Sequence, residues 1–153
     1  MGMDVMQLTW KDGEIPLNTA LVLATGYFGG QPAMINSSGQ ATLATGGSPT
    51  YIGMFKNCWT EDSKNGNVTI IPGGTKVIFF NGSNSIDVTD EAGNTIEGAP
   101  YDTTLTYDEG EYLYINATTA LWQNAAVGTA KGIIIKAPTA TDSSLIAYMF
   151  MIS

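Results

Sequence analysis

The stretch Asn67-Val68-Thr69-Ile70-Ile71-Pro72-Gly73-Gly74-Thr75-Lys76-Val77-Ile78-Phe79-Phe80 sets two short runs of β-branched and aromatic residues on either side of a Pro-Gly-Gly triplet. Runs this short suit strands and fall below the length of an ordinary helix. Both are apolar at most positions, the pattern of strands buried on two faces. Pro72-Gly73-Gly74 is turn chemistry, and Asn81-Gly82 ends the pair with a second turn signal.

The same alternation of short apolar runs and turns extends in both directions. Upstream, Val5 to Trp10 places Met6, Leu8 and Trp10 on one face at period two, and Lys11 to Glu14 turns the chain. Ile15 to Ala24 follows, with Pro16 directing its start to a sheet edge. Gly26-Tyr27-Phe28-Gly29-Gly30 is a bend carrying two rings. Ala33 to Asn36 and Ala41 to Thr45 flank Ser37-Ser38-Gly39-Gln40 as a hairpin. Thr50 to Phe55 is the next strand, and the polar loop 56–66 holds Cys58 and Trp59.

Downstream, residues 83–110 collect seven carboxylates and no lysine. Within them Ile86 and Val88, Ala92-Gly93-Asn94, and Thr95-Ile96 form the pattern of an acidic hairpin projecting from the body. Tyr112 to Ile115, Lys131 to Ala137 and Ser144 to Ile152 return to strand material, the last two joined by a turn over Thr139 to Ser143. No ten-residue stretch carries a helical period, and no repeat of 20–50 residues is present. The expected fold is all-β: one domain, 1–153, a small barrel or sandwich of about a dozen short strands with the 83–110 excursion.

Composition narrows the function. The 153 residues include no His and no Arg, which removes imidazole bases and ligands and guanidinium clamps for phosphate. Fourteen acids against six lysines leave a net charge of −8, a surface that repels a nucleic-acid backbone. Cys58 is the only cysteine, so neither an intrachain disulfide nor a thiolate metal cluster can form. No apolar run reaches the length of a membrane span, and the start lacks the basic and apolar regions of a signal peptide. No catalytic residue, metal ligand or cofactor site is expected.

Several local patterns imitate sites. Asp87-x-x-Asp90-x-x-Gly93 lacks the alternating oxygen ligands of a calcium loop. The glycine clusters at 26–30 and 73–74 precede no helix that could aim its N-terminus at a phosphate. Trp10, Tyr27, Phe28, Trp59 and Trp122 could make a sugar-stacking platform, although rings more often fill cores and interfaces. Methionines crowd both ends, at Met1, Met3 and Met6 and at Met149 and Met151, where core filling and partner docking both account for them.

The order of elements resembles that of the small β-rich head decoration, or cement, proteins of tailed bacteriophages. Asn18-Thr19-Ala20-Leu21-Val22-Leu23 resembles their opening barrel strand, and Tyr51-Ile52-Gly53-Met54-Phe55 their glycine-containing strand before a short polar loop. Gly66-Asn67-Val68-Thr69-Ile70-Ile71-Pro72-Gly73-Gly74 resembles a hairpin of that group, and Lys131-Gly132-Ile133-Ile134-Ile135-Lys136-Ala137-Pro138 with the apolar end resembles the closing strands. The acidic 83–110 segment departs from the pattern. The resemblance implies a non-enzymatic protein, made in the host cytoplasm and located on the outer surface of the virion. There it binds the major capsid protein and itself, as a homotrimer, and stabilises the expanded head against DNA pressure. Met3, Met6, Trp10, Tyr27, Phe28 and Trp59 are the candidate interface residues. The alternative is a carbohydrate-binding or adhesin-like β-sandwich module of a phage tail, a fibre or a cell surface.

Overall fold

The computed structural model describes residues 13–18, 27–45, 50–57, 66–81, 88–89, 95–96 and 98–152. The expected strand Val5 to Trp10, residues 19–24 of the Ile15 to Ala24 run, Cys58 and Trp59 lie outside these residues, as does the turn Ala92-Gly93-Asn94. Among the described residues there are no helices. Two curled antiparallel five-stranded sheets form a sandwich or half-barrel.

The first sheet runs in the order β1 (Gly13–Pro16), β5 (Asn67–Ile71), β4 (Tyr51–Phe55), β2 (Pro32–Ile35), β3 (Ala41–Leu43). The second runs β10 (Trp122–Gln123), β9 (Tyr112–Ile115), β11 (Gly132–Lys136), β12 (Leu145–Met149), β6 (Thr75–Phe79). A separate pair, β7 (Val88–Thr89) and β8 (Thr95–Ile96), is antiparallel in the 83–110 segment. The far end of that segment belongs to the body, since Ala99, Tyr101 and Tyr107 are buried.

Three expectations are corrected. Gly13 and Glu14 do not turn the chain. They open β1, opposite Ile70 and Thr69, and the strand ends at Pro16 on the sheet edge. The two runs of the opening stretch do not form a hairpin. Both edges of β5 are occupied, by β1 and β4, so the chain crosses at Pro72-Gly73-Gly74 into the other sheet, where β6 pairs with β12 along its whole length. Gly73 makes that crossing possible: its φ is +104°, and a Cβ there would stand 2.2 Å from the Phe150 carbonyl oxygen. Finally, β6 is not buried on both faces, because Lys76 and Ile78 are exposed.

The core divides along the first sheet. Between the two sheets pack Tyr51, Met54, Phe79, Leu113, Trp122, Leu145 and Met149, all buried. On the other side of the first sheet Leu17, Tyr27, Ala33, Phe55, Val68 and Ile70 form a second buried cluster, with Phe28 against it. A bulge in β4 sets this division. Ala33 pairs with Gly53 and Met34 with Tyr51, leaving Ile52 as the extra residue. The bulge puts Tyr51 and Met54 in the inter-sheet core and Ile52 and Phe55 in the other cluster. Gly53 has φ +138° and sits 2.1 Å, measured from an added Cβ, below the Ile71 carbonyl oxygen.

Trp122 ties the layers together. Its indole Nε1 donates to the Gly30 carbonyl at 2.7 Å, and its ring meets Tyr51 edge-on at 6.0 Å. Gln31 reinforces the junction, accepting from the Phe28 amide and donating to the Ala120 carbonyl.

Candidate interaction surface

In a strand, successive side chains point to opposite faces, and residues directly opposite across a ladder share a face. In β12, Leu145, Ala147 and Met149 point into the core, so Ile146 and Tyr148 point out. The ladder then fixes their outward neighbours. Tyr112 on β9 lies opposite Ile133 on β11, Ile133 opposite Tyr148, and Tyr148 opposite Lys76 on β6. Ile146 lies opposite Ile78. A bulge in β11, between Ile134 and Lys136, adds Ile135 as an extra exposed residue. Just beyond β12, the Phe150 ring lies 6.3 Å from both Tyr112 and Tyr148.

The outer face of the second sheet is therefore almost entirely apolar, and it is open. Tyr112 is 51% exposed, Phe80 48%, Ile78 47% and Tyr148 41%, with Ile135 in the same range. Large side chains carry roughly 150–250 Å² each, so these five leave on the order of 500 Å² accessible. That reaches the upper end of the largest apolar patch on an ordinary monomer, roughly 300–600 Å².

The electrostatics of this face differ from those of the chain as a whole. β6, β9, β11 and β12 contain no carboxylate, in a protein of net charge −8. Their charges are Lys76 and Lys136, both on the open face, Lys136 opposite Ile146 and held in an ion pair with Asp142 at 2.7 Å. The Lys136 ammonium, then the Ser144 hydroxyl and amide, hold the Asp142 carboxyl well below the usual carboxylate range.

A second feature is a cleft of about 250 Å³ beside Tyr101, Leu105, Tyr107, Pro138 and Thr139. Its phenols are engaged within the chain: Tyr101 Oη donates to the Ser143 carbonyl, and Tyr107 Oη to the Asp102 carbonyl at 2.7 Å. Burial pushes both phenols up.

Of the candidate interface residues, Met3, Met6, Trp10 and Trp59 lie outside the described residues. Tyr27 is 4% exposed and stacks on Phe55 with ring centroids 4.0 Å apart, so its area is used inside the chain. Phe28 is half-buried, its ring close against Gly98, where a Cβ would stand 2.5 Å away. Trp122, one ring of the suggested sugar platform, is fully buried. The open face was missed because Tyr112-Leu113-Tyr114-Ile115, Ile133-Ile134-Ile135 and Leu145-Ile146-Ala147-Tyr148-Met149 read as ordinary core strands. The usable signal was their lack of polar alternation in a sheet with no helix to cover it.

No protein-family model matches the chain, and no curated protein matches it.

Proposed function

We propose that this is a non-enzymatic structural protein that binds the outer surface of a tailed-phage capsid and stabilises the expanded head. One observation carries the reading: the apolar outer face of the second sheet, whose strands carry no carboxylate and whose extent lies at the upper end for an isolated domain. A chain that leaves such a face open is suited to being one tile of a larger assembly. Its partners in this reading are the major capsid protein and other copies of itself, at the virion surface. The acidic balance favours an external position, since packaged DNA repels a protein of charge −8.

Stabilisation follows from mass action: a protein that binds the expanded lattice and not the immature one shifts the balance towards the mature head. Repetition across the lattice multiplies modest contacts into strong retention. The resemblance in strand order supports the same reading. The sugar-binding alternative loses support, because Tyr27 and Trp122 are buried.

The test uses mature heads lacking the protein. Adding it back is expected to raise the temperature of heat-induced DNA release, and the protein is expected to sediment with the heads. Unchanged release with no co-sedimentation overturns the proposal.

A further inference from the structure

We propose that the free edge of β6 is a strand-addition site. It takes an extended segment of the capsid subunit that sets a carboxylate beside Lys76 and apolar side chains beside Ile78 and Phe80. The inference rests on the capsid reading for the source of the segment, and it stands on backbone geometry and charge.

The ladder settles where the hydrogen-bonding groups of the edge point. In an antiparallel strand the N–H and C=O of one residue point to the same side, and those of the next residue to the other. Ile134 donates to the Glu111 carbonyl and accepts from the Gly110 amide, so its groups point to the β9 side. Ile133 therefore points towards β12, where it faces Tyr148. Tyr148 points back at it, which leaves Ala147 and Met149 pointing towards β6, opposite Val77 and Thr75. Lys76 and Ile78 then direct their N–H and C=O away from the sheet. β6 is the last strand in its sheet, and no described strand pairs with that side.

The other sheet ends are guarded. β3 and β10 have three and two residues, and β1 carries Glu14 and Pro16. Short length, charge and proline all discourage pairing with another chain. β6 has five residues, no proline and one charge, Lys76.

The side chains define the segment that fits. Lys76, Ile78 and Phe80 are exposed at alternate positions. Lys136 is paired with Asp142, and Lys131 lies over the Tyr51 ring at 5.2 Å, whereas Lys76 has no ion pair among the described residues. A strand laid on this edge takes water from the Lys76 ammonium, which is costly unless a carboxylate meets it. Opposite charges directly across a ladder are favourable. Lys76 thus makes the open edge selective, admitting a segment with an acid in register and rejecting a wholly apolar one. Backbone bonds supply affinity and the alternate side chains supply register.

The experiment measures binding to mature heads lacking the protein by co-sedimentation, and hydrogen exchange of single amides in the free and bound chain. In the free chain the Lys76 and Ile78 amides are expected to exchange rapidly, with Val77 protected by β12. On heads the first two are expected to slow at least about a hundredfold. Ile78→Pro removes an outward N–H, where an edge strand accepts proline. It is expected to bind at least about tenfold more weakly than Ile78→Thr, which keeps the N–H. Lys76→Glu, the second variant, is expected to weaken binding at least about tenfold, and Lys76→Gln by less. Wild type that binds heads with both amides unprotected overturns the inference and leaves the capsid reading standing. So does binding that folded Ile78→Pro and Lys76→Glu variants retain in full. Protection of both amides in the free chain as its concentration rises assigns the edge to a second copy and also overturns the inference. Wild type that fails to bind heads overturns the capsid reading, and the source of the segment with it.

Discussion

In the first sheet, Ala33, Phe55, Val68 and Ile70 point away from the second sheet and are nonetheless buried, because Leu17 and Tyr27 pack with them. In the second sheet, the residues pointing away from the core, Ile78, Tyr112, Ile135 and Tyr148, remain about half exposed. Both sheets are apolar on two sides. The difference is the origin of the cover: the chain's own segments supply it for the first sheet, whereas among the described residues nothing covers the second, and the proposed function assigns that role to neighbours in an assembly. A two-sided apolar strand thus announces that something covers it, without saying whether the cover is intramolecular.

The largest effects belong to the covered side and to the core between the sheets. Phe55→Ala removes a buried ring that Tyr27 stacks upon, and is expected to cost roughly 3–5 kcal/mol in urea unfolding. Loss comparable to a surface substitution would mean that the first sheet is not covered as described. Gly53→Ala comes next, at about 2–3 kcal/mol, from strain at positive φ and the clash with the Ile71 carbonyl. Its β4 bulge separates the two core clusters, so near-wild-type stability would remove the basis of that division.

Tyr51→Phe has the opposite sign. Among the described residues the Tyr51 hydroxyl is buried without a hydrogen-bond partner, and burial pushes its phenol up. Removing it is expected to raise stability by about 1 kcal/mol, checked by the same unfolding assay. A loss of similar size would reveal an unrecognised partner.

Much of the fold was legible from local patterns. The hairpin around Ser38-Gly39, the strands 51–55, 112–115 and 145–149 and the absence of helix among the described residues all follow from period and turn residues. The crossing at Pro72-Gly73-Gly74 was not, because a turn residue shows that the chain bends and not which edge it next joins. Only the occupied edges of β5 decide that. The candidate surface was legible in composition alone: Ile133-Ile134-Ile135 marks two apolar faces, but exposure depends on what packs above them. Tyr27 illustrates the converse, an aromatic in a glycine-rich bend that looks available and is stacked inside.

The smaller effects sharpen the contrast between the two sheets. Asp142 is held ionised by Lys136 and Ser144, so its carboxyl contributes stability that is present above the unfolded value, near about pH 4. That contribution is lost as pH falls through the lowered folded value. The difference in melting temperature between wild type and Asp142→Asn is therefore expected to shrink from pH 6 downwards towards about pH 2. A difference that stays constant would show that the carboxylate's charge plays no part. On the open face, Ile78→Thr is expected to change monomer stability by less than about 0.5 kcal/mol, in contrast to Phe55→Ala. A larger loss would place Ile78 in a covered environment within the chain.

The central claim is that the outer face of the second sheet is covered when the protein works. Hydroxyl-radical footprinting tests it most directly, comparing the dilute free chain with the chain bound to heads. Labelling of Tyr112 and Tyr148 is expected to be strong in the free chain and to fall severalfold on assembly, while labelling of Tyr27 stays low in both. Equal labelling of Tyr112 and Tyr148 in the two states would contradict the account.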